Sequence, residues 1–337
     1  MFRTIKLLFF ATALCAVSCT GRVNSGSYIM VEGFAQGTTW HITYKSFNGE
    51  DLKPQIDSIL TAFDNSMSAY NKESQLTKIN NNDTSIIVDR FFKEIFDNSL
   101  HLYNISGKAF DPTVSPLVSL WGFGKHKDMR RPSQNEIDSV LEFVGLDKVT
   151  IQDGRVVKSD PRITLIFNAN AQGYSVDEVA RWFDSKGYTD YLVEIGGEVF
   201  AKGVNASGQQ WRVGIDSPID GSTEENRVIQ AVVSLSGKSL CTSGNYRNFF
   251  VENGVKYTHE LDPVTGYPKR DSLLSVAVVA PDAVNADGLA TTVMVLGLEN
   301  GFRLLDSLPD TEGYFIYATQ NGSFATTQTS GFVAEEL

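Results

Sequence analysis

Cysteine is scarce in this chain. Of its three cysteines, Cys15 and Cys19 lie in or just after an apolar leader. Cys241 is left alone, which excludes an intrachain disulfide in the remainder, and no His or other base adjoins it to suggest a nucleophile. The chain also has no second hydrophobic span, internal repeat, low-complexity tract or linker-like stretch. That pattern excludes a polytopic helical membrane protein and a repeat array. Positive charge is in deficit as well. Removing Arg3 and Lys6 from the 29 basic side chains leaves 27 against 40 acidic ones, a net of −13. Nucleic-acid binding, which needs basic patches, is not expected.

The leader itself is informative. Arg3 and Lys6 precede Leu7–Val17, an apolar run of eleven residues. A membrane span needs roughly 20 residues, so the run suits the core of an export signal. It ends in Ala16-Val17-Ser18-Cys19, which resembles a bacterial lipobox, with cleavage before the cysteine and a diacylglycerol on its sulfur; an ordinary signal peptide is the alternative. Thr20–Ser27 is small and polar, as a tether should be. The expected division is a signal peptide over 1–18, a lipidated cysteine and tether over 19–27, and one domain over 28–337. The expected location is outside the cytoplasm, on a bacterial membrane and facing the periplasm or cell exterior.

Within the domain, hydrophobic periodicity mixes strands and helices without regular βαβ alternation. Thr39–Tyr44 reads as a strand. Ile56, Ile59, Leu60 and Phe63 recur at helical spacing, as do Phe92, Ile95, Phe96, Leu100 and Tyr103 ahead of Gly107. Ser133 and Glu136 form a capping-box pair before another helix, and a further helix is expected from about Tyr174 to Lys186. Strands are expected at Tyr191–Ile195, Trp211–Ile215, Val228–Leu235 and Leu274–Ala280. Hairpins are expected around Asn253-Gly254 and Asn321-Gly322, and Asp282 caps a helix running to Leu296. The predicted class is α+β, a single domain with largely antiparallel sheets and surrounding helices.

Several segments carry residues suited to chemistry. Asp287 and Thr291, in Ala286-Asp287-Gly288-Leu289-Ala290-Thr291-Thr292, lie four apart on a predicted helix and share a face. A carboxylate and a hydroxyl together suit a hard cation such as Mg2+, although the same pair also suits a helix surface. His259 ends a predicted strand before Asp262-Pro263, where it can act as an acid/base group or simply bond within its loop. Ala109-Phe110-Asp111 lies in a Gly/Pro-rich loop, which can grip a planar ring or pack on itself. Asn168-Ala169-Asn170-Ala171-Gln172-Gly173 leads into a helix and allows close backbone approach to a phosphate or cation. Glu194-Ile195-Gly196-Gly197-Glu198 bends a strand where a ligand or another backbone comes near.

Taken in order with Gly33-Phe34-Ala35-Gln36-Gly37-Thr38, Met67-Ser68-Ala69-Tyr70, Trp121-Gly122-Phe123-Gly124, Thr242-Ser243-Gly244-Asn245-Tyr246 and His259-Glu260-Leu261-Asp262-Pro263-Val264-Thr265-Gly266, these segments resemble the ApbE family of FAD:protein FMN transferases across nearly the whole mature chain. The resemblance implies that FAD is substrate and Mg2+ the cofactor. It implies metal ligation by Asp287, Thr291 and the carbonyl of Ala169. It implies flavin-nucleotide contacts at Gln36, Tyr70, Ala109, Phe110, Asp111, Gln172 and Leu261, and catalytic roles for His259 and Asp287. FMN would pass to a Ser or Thr hydroxyl of an acceptor protein, such as a subunit of an Rnf- or Nqr-like redox pump, with release of AMP. An exported FAD pyrophosphatase and a non-catalytic flavin-binding lipoprotein are the competing readings. The chain departs from the family pattern at Gln36 (usually Met), Gln172 (commonly Lys or Glu), Ile166 (frequently Asp) and Ala290 (in some members a second Asp).

Overall fold

The computed structural model describes residues 26–124, 129–222, 226–246 and 249–337; the expected export signal and Cys19 lie outside them. The described chain opens on a hairpin of β1 (Tyr28–Ala35) and β2 (Thr38–Lys45). Five helices follow: α1 (Lys53–Met67), α2 (Gln75–Asn80), α3 (Arg90–Ile105), α4 (Ser115–Leu120) and α5 (Gln134–Leu141). A small hairpin, β3 (Val149–Gln152) and β4 (Arg155–Lys158), precedes α6 (Ala171–Ser185). Then come β5 (Tyr191–Ile195), β6 (Glu198–Lys202), β7 (Trp211–Asp216), β8 (Ile229–Leu235), β9 (Lys238–Gly244), β10 (Phe249–Glu252), β11 (Val255–Thr258) and β12 (Leu273–Ala280). The chain closes with α7 (Ala283–Leu296), α8 (Leu298–Ser307), β13 (Glu312–Ala318), β14 (Phe324–Gln328) and β15 (Ala334–Glu336).

Eight strands form the main sheet in the order β1-β2-β5-β6-β9-β12-β13-β14, with every neighbouring pair antiparallel. A second sheet, β15-β8-β7, covers part of one face. The sequence of β12 shows why. Val276, Val278 and Ala280 point into the core beneath the helices, while Ala277 and Val279 point into the core shared with the small sheet. A strand buried on both faces is continuously apolar rather than alternating. In β2, where only Trp40, Ile42 and Tyr44 enter the core, alternation is kept.

Helix α7 is the central helix. Ala283, Ala286, Leu289, Ala290 and Val293 join the main core, and α7 packs on α6, α3, α8 and the sheet. Its first turn is capped twice. Asp282 accepts from the Asn285 amide at 3.0 Å, and Asp177, from α6, accepts from the Ala283 and Val284 amides at 2.8 and 2.9 Å. A negative charge at this end also matches the helix dipole. Cys241 is a buried residue of β9, and burial pushes its thiol well above the ordinary value.

The α+β class is as expected, and the Ser133–Glu136 capping box forms on α5. Several elements differ from the sequence reading: β1, α2, α4, β3, β4, β6, α8 and β15 are additional to it, and α6 starts earlier. β1 is an edge strand of the main sheet, with Met30 and Phe34 exposed. The β3–β4 hairpin turns at Asp153-Gly154, both with positive φ. Helix α6 begins at Ala171, three residues before Tyr174, its first turn being Ala171-Gln172-Gly173-Tyr174.

Candidate active site

The site is built around the first half of α7. Asp287 and Thr291 lie one turn apart on the same face, as expected. Asp287 is only 6% exposed, and its Oδ2 accepts a 3.0 Å hydrogen bond from the Gly173 amide. Burial, reinforced by the nearby Asp177 charge, pushes its carboxyl up to about 8. Thr291 Oγ1 sits 3.4 Å from Ser243 Oγ at the end of β9. Gly173 makes the approach possible. A Cβ there would collide with the Ala283 carbonyl and lie 2.8 Å from the Asp287 Cβ. The segment carrying Ala169 and Gln172 is thus drawn against α7.

These residues suit a hard divalent cation. Asp287, Thr291 and the Ala169 carbonyl are an all-oxygen donor set. A carboxylate buried beside another acid holds its proton near neutrality, and a cation would offset that burial. No group of three or more His, Cys, Asp and Glu forms a metal cluster among the described residues, so such a site rests on one carboxylate.

The loop after α3 approaches α7 from the other side. Phe110 is 2% exposed within the main core, its Cε2 3.5 Å from where a Cβ on Gly288 would sit. The ring therefore packs on protein, the self-packing alternative of the sequence reading. Asp111 shapes the loop. Its Oδ1 accepts from the Thr113 amide and hydroxyl at 2.8 and 2.6 Å, and Oδ2 from the Leu146 amide at 3.3 Å. Burial raises its carboxyl to about 6 despite those bonds. Ala109 is buried beside it, and the Pro112 carbonyl accepts from the Ile166 amide at 2.8 Å, tying this loop to the one before α6.

At one end of the sheet, two turns meet the start of α6. Gln36 occupies the β1–β2 turn with φ 55°, and its Nε2 donates to Ser175 Oγ at 2.6 Å. The Gln172 amide lies against Gly196, in the β5–β6 turn. Tyr70 stands apart from this group, 67% exposed in the turn after α1.

His259 and Leu261 belong to a second assembly. Leu261 is buried with Leu117, Trp121, Phe123 and Tyr257 and bridges Pro268. The His259 ring meets Phe123 edge-on at 6.4 Å, and its Nδ1 lies 3.4 Å from Glu260 Oε1. Asp262 Oδ1 accepts from the Val264 amide at 2.8 Å, and Trp121 Nε1 donates to the Gly266 carbonyl at 2.9 Å. The Trp-Gly and Asp-Pro motifs, distant in sequence, are thus one packed unit.

Residues without a role in the sequence reading also enter the site. Asp177, raised to about 7 by burial, lies one turn beyond Gly173 on α6, a spacing that does signal a shared face. Asn170 is fully buried, its Nδ2 donating to Asn98 Oδ1 at 2.9 Å and Ser99 Oγ at 3.0 Å. Nothing local in the sequence announces that pairing.

The ApbE family model matches residues 36–315. The FAD:protein FMN transferase of Haemophilus influenzae is 33% identical, over 97% of this chain and 96% of its own length. That of Escherichia coli K12 is 32% identical, over 97% and 96%. The structure of flavin transferase ApbE from Vibrio cholerae superposes with a TM-score of 0.80 at 32% identity, covering 91% of this chain and 98% of that one. The apo form of Pseudomonas stutzeri flavinyl transferase ApbE gives 0.80 at 31% identity, over 90% and 95%.

Proposed function

The chain belongs to the ApbE family and is an FAD:protein FMN transferase; we propose that it works with Mg2+ held by Asp287, Thr291 and the Ala169 carbonyl, and that AMP leaves as FMN reaches a Ser or Thr hydroxyl of the acceptor. The observation that carries this reading is the buried Asp287 carboxylate, pinned by the Gly173 amide and facing the same way as Thr291.

When bound, Mg2+ neutralises the phosphates of FAD and stabilises charge on the leaving AMP. The chain's own residues do the rest. Asp287, as a carboxylate, would hold the cation with Thr291 and the Ala169 carbonyl. Gln36, Gln172 and the 109–111 loop converge on α6 and α7 and position the dinucleotide. Tyr70 offers an exposed ring for its far end. His259 takes the proton of the acceptor hydroxyl as its oxygen bonds to the phosphorus of the FMN half. The bond from that phosphorus to the bridging oxygen breaks, and the electron pair leaves on AMP.

The test is to incubate the protein with FAD, Mg2+ and a Thr-bearing acceptor while following AMP release and acceptor mass. Transfer predicts that AMP appears with acceptor and matches the FMN mass gain one for one. AMP at the same rate without acceptor, with no flavin on protein, would make the enzyme a pyrophosphatase.

The same proposal places the enzyme outside the cytoplasm, anchored through lipid on Cys19 and acting on a subunit of an Rnf- or Nqr-like redox pump. Its support is the leader sequence and the family resemblance. A Cys19→Ala form that still partitions fully with membranes would overturn the anchor.

A further inference from the structure

We propose that Asn98, on α3, is a positioning residue for the cation, joining the turn that bears the Ala169 carbonyl to the first turn of α7. The inference rests on the reading that Asp287, Thr291 and the Ala169 carbonyl hold Mg2+.

Asn170 does not do what its place in the chain predicts. It is the N-cap of α6, where an asparagine oxygen usually accepts from an amide of the first turn, yet its side chain makes no capping bond. The third amide of the helix, that of Gly173, donates to Asp287 Oδ2 at 3.0 Å instead. A carboxylate on α7 has thus taken over the cap. The Asn170 amide turns toward α3. Its Nδ2 donates to Asn98 Oδ1 at 2.9 Å and to Ser99 Oγ at 3.0 Å. Its Oδ1 is buried and accepts no hydrogen bond among the described residues, a costly state that the bonds to α3 must offset.

The direction of these bonds is fixed from the far end. Asp282 Oδ2 accepts from Asn285 Nδ2 at 3.1 Å, and a carboxylate only accepts. Asn285 therefore presents its oxygen to α3, and Asn98 Nδ2 donates to it at 2.7 Å. Asn98 then has its own oxygen to offer Asn170. Turning any one of the three amides over would set donor against donor or acceptor against acceptor.

Asn98 so links the two stretches that carry the proposed donors. Asn285 lies two residues before Asp287, and Asn170 immediately follows Ala169. The bonds at Gly173 and Asp177 hold α6 itself to α7; Asn98 holds the turn beside Ala169. Groups that orient a metal's ligands without touching the metal tune its affinity. Asn98 acts in that way, through its two neighbours, on the spacing between the Ala169 carbonyl and the Asp287 carboxylate.

The experiment is calorimetric titration of Mg2+ into the metal-free full chain, with FMN-transfer kinetics on the same samples. Asn98→Ala should raise the Mg2+ dissociation constant about tenfold or more. The Mg2+ concentration for half-maximal transfer should rise with it, while KM for FAD at saturating Mg2+ is unchanged. Asn98→Ala combined with Asn170→Ala should bind Mg2+ no more weakly than Asn170→Ala alone, because the two residues act through one link. An Asn98→Ala protein that binds Mg2+ as the wild type does, even with a lowered melting temperature, would overturn the proposal, and so would single losses that add in the double variant. If Asn98→Ala does not fold, Asn285→Ala cuts the same chain of bonds at its α7 end and should weaken Mg2+ binding in the same direction; unchanged binding there would overturn the proposal equally. An Asp287→Asn protein that keeps its Mg2+ affinity would instead overturn the reading of the cation site.

Discussion

The amide of Gly173 donates a 3.0 Å hydrogen bond to the carboxylate of Asp287. With the bonds from the Ala283 and Val284 amides to Asp177, this contact ties the first turn of α6 to α7, and with it the two stretches that carry the proposed cation donors. It depends on a residue without a side chain, because the α7 backbone at Ala283 occupies the place a Cβ would take.

Gly173→Ala should therefore separate α6 from α7. Overpacking at a rigid backbone contact costs about 1–3 kcal/mol, which should appear as a lowered melting temperature. Mg2+ binding should weaken in parallel, since the Asp287 partner moves with the loop. Calorimetric titration and a thermal melt on the same variant check both. Unchanged values would mean the two helices have slack the structure does not show.

Stability of the metal-free enzyme should fall as pH rises. Asp177 and Asp287 have folded values of about 7 and 8 against an ordinary 3.8, and Asp111 lies at about 6. A raised carboxyl binds its proton more tightly when folded. Its contribution is thus complete below the ordinary value and is lost as pH climbs through the folded value. The window runs from about pH 4 to 8. Melts of chelator-treated protein should be lower at pH 8.5 than at pH 6, and Mg2+ should restore more at the higher pH because it no longer competes with a proton. A melting temperature that rises across that range would refute the burial argument.

Much of this was legible in the sequence, for identifiable reasons. Asp282, the Ser133–Glu136 box and the Asn-Gly turns are local signals, and local signals survive folding. The Asp287/Thr291 face follows from helical period alone. What was not legible came from contacts between distant segments. The hydrogen bond from Asn170 to Asn98 spans 72 residues, and that from Ala283 to Asp177 spans 106. No period or cap encodes either. Phe110 is the instructive case, since an aromatic in a Gly/Pro loop suits ring binding as well as core packing, and only the position of Gly288 under it decides for packing in this conformation.

That placement sets the expectation for Phe110. Its truncation to Ala should cost about 3–5 kcal/mol of stability, as for other buried aromatic rings. Phe110→Leu should retain the fold and keep FAD affinity within a few-fold. A Leu variant that folds normally yet loses about 1–3 kcal/mol of FAD binding, the scale of a ring contact at a binding site, would show that Phe110 swings out to meet the flavin.

Asp287→Asn separates the structural role of this residue from its charge. The amide is nearly isosteric, and its oxygen can still accept from Gly173, so the α6–α7 contact should survive. A neutral side chain also removes the cost of burying a charge beside Asp177. The variant should melt at or above the wild-type temperature at pH 8.5 without metal. It should also lose the Mg2+-induced rise in melting temperature, because the only side-chain charge in the donor set is gone. Transfer should then fall by about 10³-fold or more, several kcal/mol of charge stabilisation at the phosphates, and chelator should reproduce that loss in the wild type. Thr291→Val should weaken Mg2+ binding less, since it removes a neutral ligand. An Asn variant that keeps both its Mg2+ response and its rate would place the cation elsewhere and leave Asp287 as a purely structural link between the two helices.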